Sequence, residues 1–568
     1  MRASLARALP AILALGSVAC DAAILGKGEA TPSGSGPDAT GPNLNSGPTD
    51  DDLRTKDPEL FEIALGYFPG QSISAGDKRL FRLTRAQLDA TTRAVLPQHA
   101  APSALELLPS DPLQTNYEYA ANLSFSAANF TPLTAWADQI SASVKEQPES
   151  VVSCAEQGNT TACLEQAAKG FVTRAFRDVV STTQLERLAK FYSSSVSEVG
   201  FADATADLVN VILTSPGYVF RDEVATDLNA RLLPAQLLQH LSYTLADAPP
   251  EAVGLTRPVP GSSALGNSDL TQAVDLVLQT PAARAKLQRF FSSWLEVKEP
   301  QELDISTEVF PELTPAVAAA MVADTRSFLE RQLQVALPSL RDVTEATSAI
   351  VSQPSAFLYG MEGQSGSVEL DPAERLGIFT QPAVIASHSG PVTTRLVKRG
   401  VFFTRKVMCL PLGVPPEDID TSVPQDAGET ERERIENVTK PARCAGCHAF
   451  INPFGFMQEN FDAIGRYRSQ DAGKPIDASI SVDFLDEGAF SASSGVEALR
   501  GFTRSLRFQQ CFTRQLFRFY MGRDEQVGDD PLLRQLFFEF AQNDTQSILG
   551  MLRSLAGAAS FSARAEAP

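Results

Sequence analysis

The sequence predicts a mainly α protein built from several helical modules in series. Three observations carry that prediction: apolar residues recur at three- and four-residue spacing, prolines stand at helix starts and just past helix ends, and strand alternation is scarce. Residues 83–95 place Leu88, Thr92 and Val95 at helical spacing, and Pro97 ends the run. Residues 161–177, 183–196 and 202–214 continue in the same manner, and 234–246 follow, with Pro234 suited to a first helical turn. Further helices are predicted over 269–279, 282–296, 314–335, 372–387, 395–409, 496–521 and 531–555. The Pro-rich run 411–424 reads as an extended linker. Two aromatic groups, Phe290, Phe291 and Trp294, and Phe512, Phe517, Phe519 and Tyr520, read first as core; the lining of a cofactor is the alternative.

The N-terminal stretch follows a different logic. Arg2 and Arg7 precede an apolar run from Leu9 to Val18, which is too short to span a bilayer stably and has the layout of a signal peptide, 1–19. Ser17, Val18 and Ala19 lead into Cys20, which looks like the lipidated first residue of a mature bacterial lipoprotein. Ser17 departs from the usual Leu there, and ordinary signal cleavage nearby is the alternative. From about Gly26 to Pro58 the chain is Gly, Pro, Ser, Thr, Asn and Asp with few large apolar side chains; such a composition buries no core, so 20–58 is expected to be a disordered tether. No later segment has the run of about 20 apolar residues needed to cross a membrane. The expectation is an exported body held in the cell envelope, in the periplasm or on the outer surface, through a lipid anchor.

Roughly 500 residues remain, enough for two or more packed cores. Lys plus Arg total 48 against 68 Asp plus Glu, and the net charge of -20 repels phosphate backbones, which argues against a nucleic-acid partner.

The most chemically specific segment is Cys444-Ala445-Gly446-Cys447-His448. Two thiols at this spacing can add to the vinyl groups of a haem as thioethers, and the adjacent imidazole can become the proximal iron ligand. With seven Cys and four His in 568 residues, the chance expectation for the pattern is roughly 0.0006. One covalent haem c is therefore predicted, with Cys444, Cys447 and His448 holding it. The fold class becomes mainly α with a c-type cytochrome-like module near the C-terminus. Assigning Cys20 to lipid and Cys444 with Cys447 to haem leaves four cysteines: Cys154 and Cys163, which would close a short polar loop, and Cys409 and Cys511, which would staple across the motif. Free buried thiols are the alternative, as is a disulfide between Cys444 and Cys447.

The opposite face of the iron needs its own account. Met457 lies nine residues beyond His448 and His388 stands at the end of a predicted helix; each is a candidate distal ligand, and a turn residue and a core histidine are the plainer readings. Met408 and Met521 are weaker candidates. Arg443, Arg466 and Arg468 suit haem propionates, because guanidinium forks match carboxylates, and they equally suit a solvated surface.

Several segments together resemble a multi-module family of exported bacterial proteins, found in planctomycetes and myxobacteria, whose modules bear only domain-of-unknown-function labels (1587, 1595, 1592, 1588 and 1585). RLTRAQLDATTRAVL (82–96) resembles its opening module, and Cys154 and Cys163 followed by FVTRAFR resemble the second. SPGYVFRDE (215–223), LLQHLSYTLADAPPE (237–251) and FFSSWLEV (290–297) resemble the central one. GIFTQPAVIASHSGPVTTRLVKRGVFFTRKVMC (377–409) and RCAGCHAFINPFGFMQENFDAIGRYR (443–468) resemble the haem-motif module, and CFTRQLFRFYMGR (511–523) the last. The resemblance implies modules at 59–145, 146–205, 206–365, 366–470 and 471–568, a His commonly found at the place of His388, and a cytochrome-like expectation without an established reaction. Two departures stand out: Asp178 and Val179 replace the Arg and Pro that usually follow Arg177, implying a weakened surface or binding feature, and Asn452 stands where Asp is usual. Neither touches Cys444, Cys447 or His448.

These readings converge on an envelope cytochrome exchanging electrons with an unknown redox partner. The alternatives are a haem peroxidase or oxidase, and a structural or binding lipoprotein whose motif holds zinc with a fourth ligand such as Cys409, or forms a disulfide. No nucleophile elbow, phosphate loop or paired-histidine zinc helix occurs, so hydrolysis has no support.

Overall fold

The computed structural model describes residues 47–99, 102–114, 116–224, 226–227, 230–258, 265–413 and 428–565. The signal peptide, Cys20 and most of the expected tether lie outside these residues, as does nearly all of the Pro-rich linker. The described residues are mainly helical. Their strands are short and pair only two by two, the longest hairpin being Ile480–Leu485 against Gly488–Ala492. No described helix is long and apolar enough to cross a membrane.

The periodic segments form helices close to where they are expected: Arg85–Val95, Thr161–Ala175, Thr182–Val199, Phe201–Leu213, Pro234–Ala246, Asn267–Leu278, Pro281–Trp294 and Pro315–Leu333. Several longer runs break where a local group competes with the helix. The 496–521 run divides into Gly495–Arg504 and Leu506–Met521 at Ser505, whose hydroxyl accepts from Phe508 N and caps the second helix. The 531–555 run divides into Asp530–Ala541 and Ile548–Gly557, again at a capping serine, Ser547. The 372–387 run reduces to Pro382–Ser387, because a residue preceding proline is biased away from the α region. Helix Ala127–Glu146 was not expected; it carries the right spacing in Leu133, Trp136, Ile140 and Val144, all buried, but Pro132 interrupts the pattern.

The expected tether needs correcting at its end. Thr49 caps helix Asp50–Lys56 through a reciprocal capping box, and Asp50 to Asp52 occupy its first turn, where the helix dipole favours acidic side chains. Leu53 is buried, and Asp50 pairs with the fully buried guanidinium of Arg534 at 3.0 Å. Composition alone marks this segment as polar; the buried Leu53, the Asp50–Arg534 pair, and Arg54 and Lys56 over the rings of Phe61 and Phe538 dock it.

Three hydrophobic clusters organise the body. One gathers buried residues between Leu83 and Val219, joined by Tyr243, around Trp136, Phe171 and Tyr218, and includes Cys154. The largest joins the first helices to the C-terminal ones and contains both aromatic groups singled out in the sequence. They are core: Phe290 stacks on Trp294 at 5.8 Å and Phe512 meets Trp294 edge-on at 5.5 Å. A third surrounds helix Pro315–Leu333 and the hairpin Ser348–Val351 with Gly366–Glu369. Two disulfides tie these parts, Cys154–Cys163 within the first cluster and Cys409–Cys511 across a sequence separation of 102 residues.

Candidate functional site

The motif lies on a single helix, Ala442–Phe456, which begins after Pro441 and has two unlike halves. Ile451, Phe454, Gly455 and Phe456 in the second half are buried. Phe454 packs on Phe502 at 4.6 Å and on Phe403 at 6.1 Å. This half docks backbone to backbone on helix Leu396–Phe402. A Cβ on Gly400 would stand 2.2 Å from the carbonyl oxygen of Ile451, and one on Gly455 would stand 2.4 Å from that of Leu396. Only glycine permits such an approach. Thr404 Oγ1 reinforces it, lying 3.3 Å from Phe450 O across the contact while also donating to Gly400 O of its own helical run at 2.7 Å. Beyond the helix end, the fully buried guanidinium of Arg399 donates to the carbonyls of Gln458, Phe461 and Asp462 at 2.8–3.1 Å. Burial pushes its pKa down to about 10. The preceding helix, Glu431–Thr439, is bound to the same frame, since Glu431 accepts from Leu396 N at 3.2 Å and from the Thr394 hydroxyl.

The first half of the motif helix is the reverse. Arg443, Ala445, Gly446, Cys447 and Ala449 are exposed, and Cys444 and His448 are half-buried. A Cβ on Gly446 would meet nothing within 4 Å. Both Cys444 and Cys447 are free thiols. His448 is held from one side only: its Nδ1 lies 2.8 Å from Asn452 Oδ1, one helical turn on. Asn452 Nδ2 donates to Thr439 Oγ1 at 3.0 Å, and Thr439 Oγ1 donates to Ile435 O at 2.7 Å. Asn452, which stands apart from the motif in the sequence, is thus its nearest polar neighbour in space; the expectation that this departure leaves the motif untouched is corrected.

The other candidate residues separate from the motif. His388 is a core histidine: its Nε2 donates to Leu295 O at 2.9 Å and its ring stacks on Phe402 at 3.7 Å. Burial drives its pKa down to about 3. Met457 is buried at the end of the same helix as His448, and nine residues at 1.5 Å each put it about 13 Å away along the axis. A ligand across an iron from His448 cannot come from there while the helix persists. Met408 is buried and Met521 lies on helix Leu506–Met521, half-buried. Of the arginines, Arg466 is engaged by Glu312 at 2.9 Å and Asp462 at 3.0 Å, and Arg468 by Asp471 at 2.6 Å, whereas Arg443 is exposed on the motif helix itself. Cys409, offered as a fourth zinc ligand, is spent in its disulfide. Among the described residues no group of three or more His, Cys, Asp and Glu side chains is arranged to hold a metal ion.

Sequence reasoning also passed over Glu459. It is fully buried just past the motif helix, accepts from Arg432 N at 3.3 Å, and is pushed up to about 7 by that burial, chiefly against the help of the Arg432 amide and Arg468. The departure at Asp178 has a geometric account. Arg177 and Asp178 both take left-handed backbone angles, φ 53° and 66°, which turns the buried Arg177 guanidinium onto the carbonyls of Gly217, Tyr218 and Phe220.

Three family models match the chain in order. PSD5, a protein of unknown function (DUF1595), matches residues 163–223; PSD4, a protein of unknown function (DUF1592), matches 232–361; and PSCyt3, a protein of unknown function (DUF1588), matches 375–471, which includes both the glycine-bearing helix and the motif helix. No curated protein and no solved structure matches.

Proposed function

We propose that this chain, which carries domains of unknown function 1595, 1592 and 1588 in succession, is an exported, lipid-anchored c-type cytochrome-like protein that passes electrons to or from a partner in the cell envelope. One observation carries the reading: the two free cysteines stand on one exposed turn beside His448, while the other cysteines of the described residues are joined in disulfides. Two disulfides support an oxidising compartment, the setting in which this kind of attachment occurs. The residues fit a covalent haem. Each thiol has its S–H available to add across a vinyl group, the open flank at Gly446 leaves room for a flat macrocycle, and His448 keeps Nε2 away from its Asn452 contact. A haem held there supplies a one-electron iron couple close to the surface. Arg443 is the arginine left to meet a propionate, since Arg466 and Arg468 already serve carboxylates. The buried half of the helix fixes the exposed half through Gly400 and Gly455, so the attachment turn has a rigid base.

A second reading, a haem peroxidase or oxidase, gains weight from His388 and Met457: with both in the core, neither supplies the far side of the iron, and an open position permits small-molecule chemistry. One experiment orders these readings. The full chain expressed with periplasmic cytochrome maturation machinery should give a pyridine haemochrome spectrum of one covalent haem, and Cys444→Ala with Cys447→Ala should abolish it. Absence of covalent haem in the unmodified chain sinks both readings. In the loaded protein, binding of cyanide with peroxide turnover favours the second, and refusal of added ligands the first.

A further inference from the structure

We propose that Asn452, held by Thr439, is a positioning residue that fixes the proton of His448 on Nδ1 and so presents Nε2 as the bare, ligating nitrogen. The inference deepens the reading above and rests on it only for what Nε2 would bind; the tautomer itself belongs to the chain alone.

Three contacts in series set the tautomer. A threonine hydroxyl has one proton, and Thr439 gives it to the carbonyl of Ile435 at 2.7 Å. What Thr439 then offers Asn452 is a lone pair, so the amide must turn its Nδ2 to Thr439, at 3.0 Å. That leaves Asn452 Oδ1, an acceptor only, 2.8 Å from His448 Nδ1. Nδ1 must therefore carry the proton. The flipped arrangement, with Thr439 donating to Oδ1 and Nδ2 donating to Nδ1, would deprive the Ile435 carbonyl of the hydroxyl and place the imidazole proton on Nε2, where it blocks coordination. Thr439 is buried and ends the helix Glu431–Thr439, so the choice is made by a neighbouring helix and reaches the half-exposed imidazole through one side chain. Ligating histidines are oriented in this manner by what the second ring nitrogen meets, and the acceptor tunes ligand basicity. His388 is the internal contrast: its Nε2 donates to Leu295 O, so it holds the opposite tautomer and offers no Nε2 lone pair.

The test reads tautomers directly. The full chain, labelled with ¹⁵N-histidine and prepared without haem, is examined by two-bond ¹H–¹⁵N correlation at alkaline pH, with His448→Gln for assignment. His448 should show the Nδ1–H pattern and His388 the Nε2–H pattern. Thr439→Val and Asn452→Leu should each convert His448 to a mixture, and Thr439→Ser, which restores the hydroxyl, should return the pure form. An Nε2–H pattern for His448 in the unmodified chain overturns the proposal, as does a spectrum that neither Thr439→Val nor Asn452→Leu changes. In haem-loaded protein, Asn452→Asp places a carboxylate at the same acceptor and should lower the midpoint potential; an unmoved potential counts against the relay. The two proposals fail separately: a chain without covalent haem but with the Nδ1–H tautomer loses the cytochrome reading alone, and a loaded chain with the wrong tautomer loses the relay alone.

Discussion

The two halves of the motif helix share one backbone and almost nothing else. From Ala442 to Ala449 it offers two free thiols and an imidazole with little packed against them; from Ile451 to Phe456 its polar contribution is Asn452, which reaches back to His448, and Ile451, Phe454, Gly455 and Phe456 are buried. A reactive turn has to be reachable, and a reachable turn contributes little burial, so the stability of the first half is borrowed from the second. The glycines mark the difference most sharply, since Gly400 and Gly455 sit where no other residue fits and Gly446 sits in open space.

The comparison breaks if the halves respond alike to substitution. Gly400→Val should abolish folding of the region or cost more than about 4 kcal/mol, because a Cβ there stands 2.2 Å from a carbonyl oxygen with backbone on both sides. Gly446→Ala should change stability by no more than about 1 kcal/mol, in the stabilising direction. Urea denaturation of the two variants side by side decides it, and similar losses would show that the exposed turn is packed after all.

The cysteines make the same comparison one step down in size. Removing Cys409 and Cys511 together, as serines, should cost roughly 3–5 kcal/mol by releasing a loop of about a hundred residues in the unfolded chain. Replacing Cys444 and Cys447 by serine in the haem-free chain should cost less than about 0.5 kcal/mol. Thermal melts of the double variants, with free thiols titrated in parallel, test both statements.

A smaller effect comes from titration on the buried side. His388 and His240 are pushed down to about 3 and about 4 by burial, while the unfolded chain protonates them near pH 6.5. Their neutral state contributes fully above that value; as the pH falls below it the unfolded chain gains protons that the folded chain refuses, and stability drops by about 1.4 kcal/mol per pH unit for each. Glu459 acts in the opposite sense. Raised from 4.5 to about 7, it contributes fully below 4.5 and loses that contribution as the pH rises to about 7. The melting temperature of the unmodified chain should therefore fall below pH 6, His388→Phe should flatten that fall by about one proton, and Glu459→Gln should raise stability above neutral pH relative to the unmodified chain. A His388→Phe variant with an unaltered acid slope would place that histidine in contact with water.

How much of this could be read from the residues varies with the range of the interaction. Helices Thr161–Ala175 and Phe201–Leu213 were legible because their apolar faces repeat within one segment. Their ends, and the split at Ser505, were less so, because a capping hydroxyl competes with helix continuation over a span of three residues. The docking of helix Asp50–Lys56 escaped a composition-based reading, since Arg534, the partner of Asp50, lies almost five hundred residues away. His388 and Met457 had the right chemistry for iron, and nothing local says that one would be stacked on Phe402 and the other turned into the core.

By itself the sequence determined the helical class and the clustering of two thiols and an imidazole within five residues, because each of these depends on spacing along the chain. It left the pairing of Cys154 with Cys163 and of Cys409 with Cys511 open against free buried thiols, and tertiary structure closed both. Tertiary structure alone decided which half of the motif helix faces solvent, which arginine remains unengaged beside it, and that Asn452 and Thr439 stand behind His448. Those outcomes are set by helices meeting at Gly400 and Gly455, where the absence of a side chain, invisible to any hydrophobic pattern, lets two backbones touch.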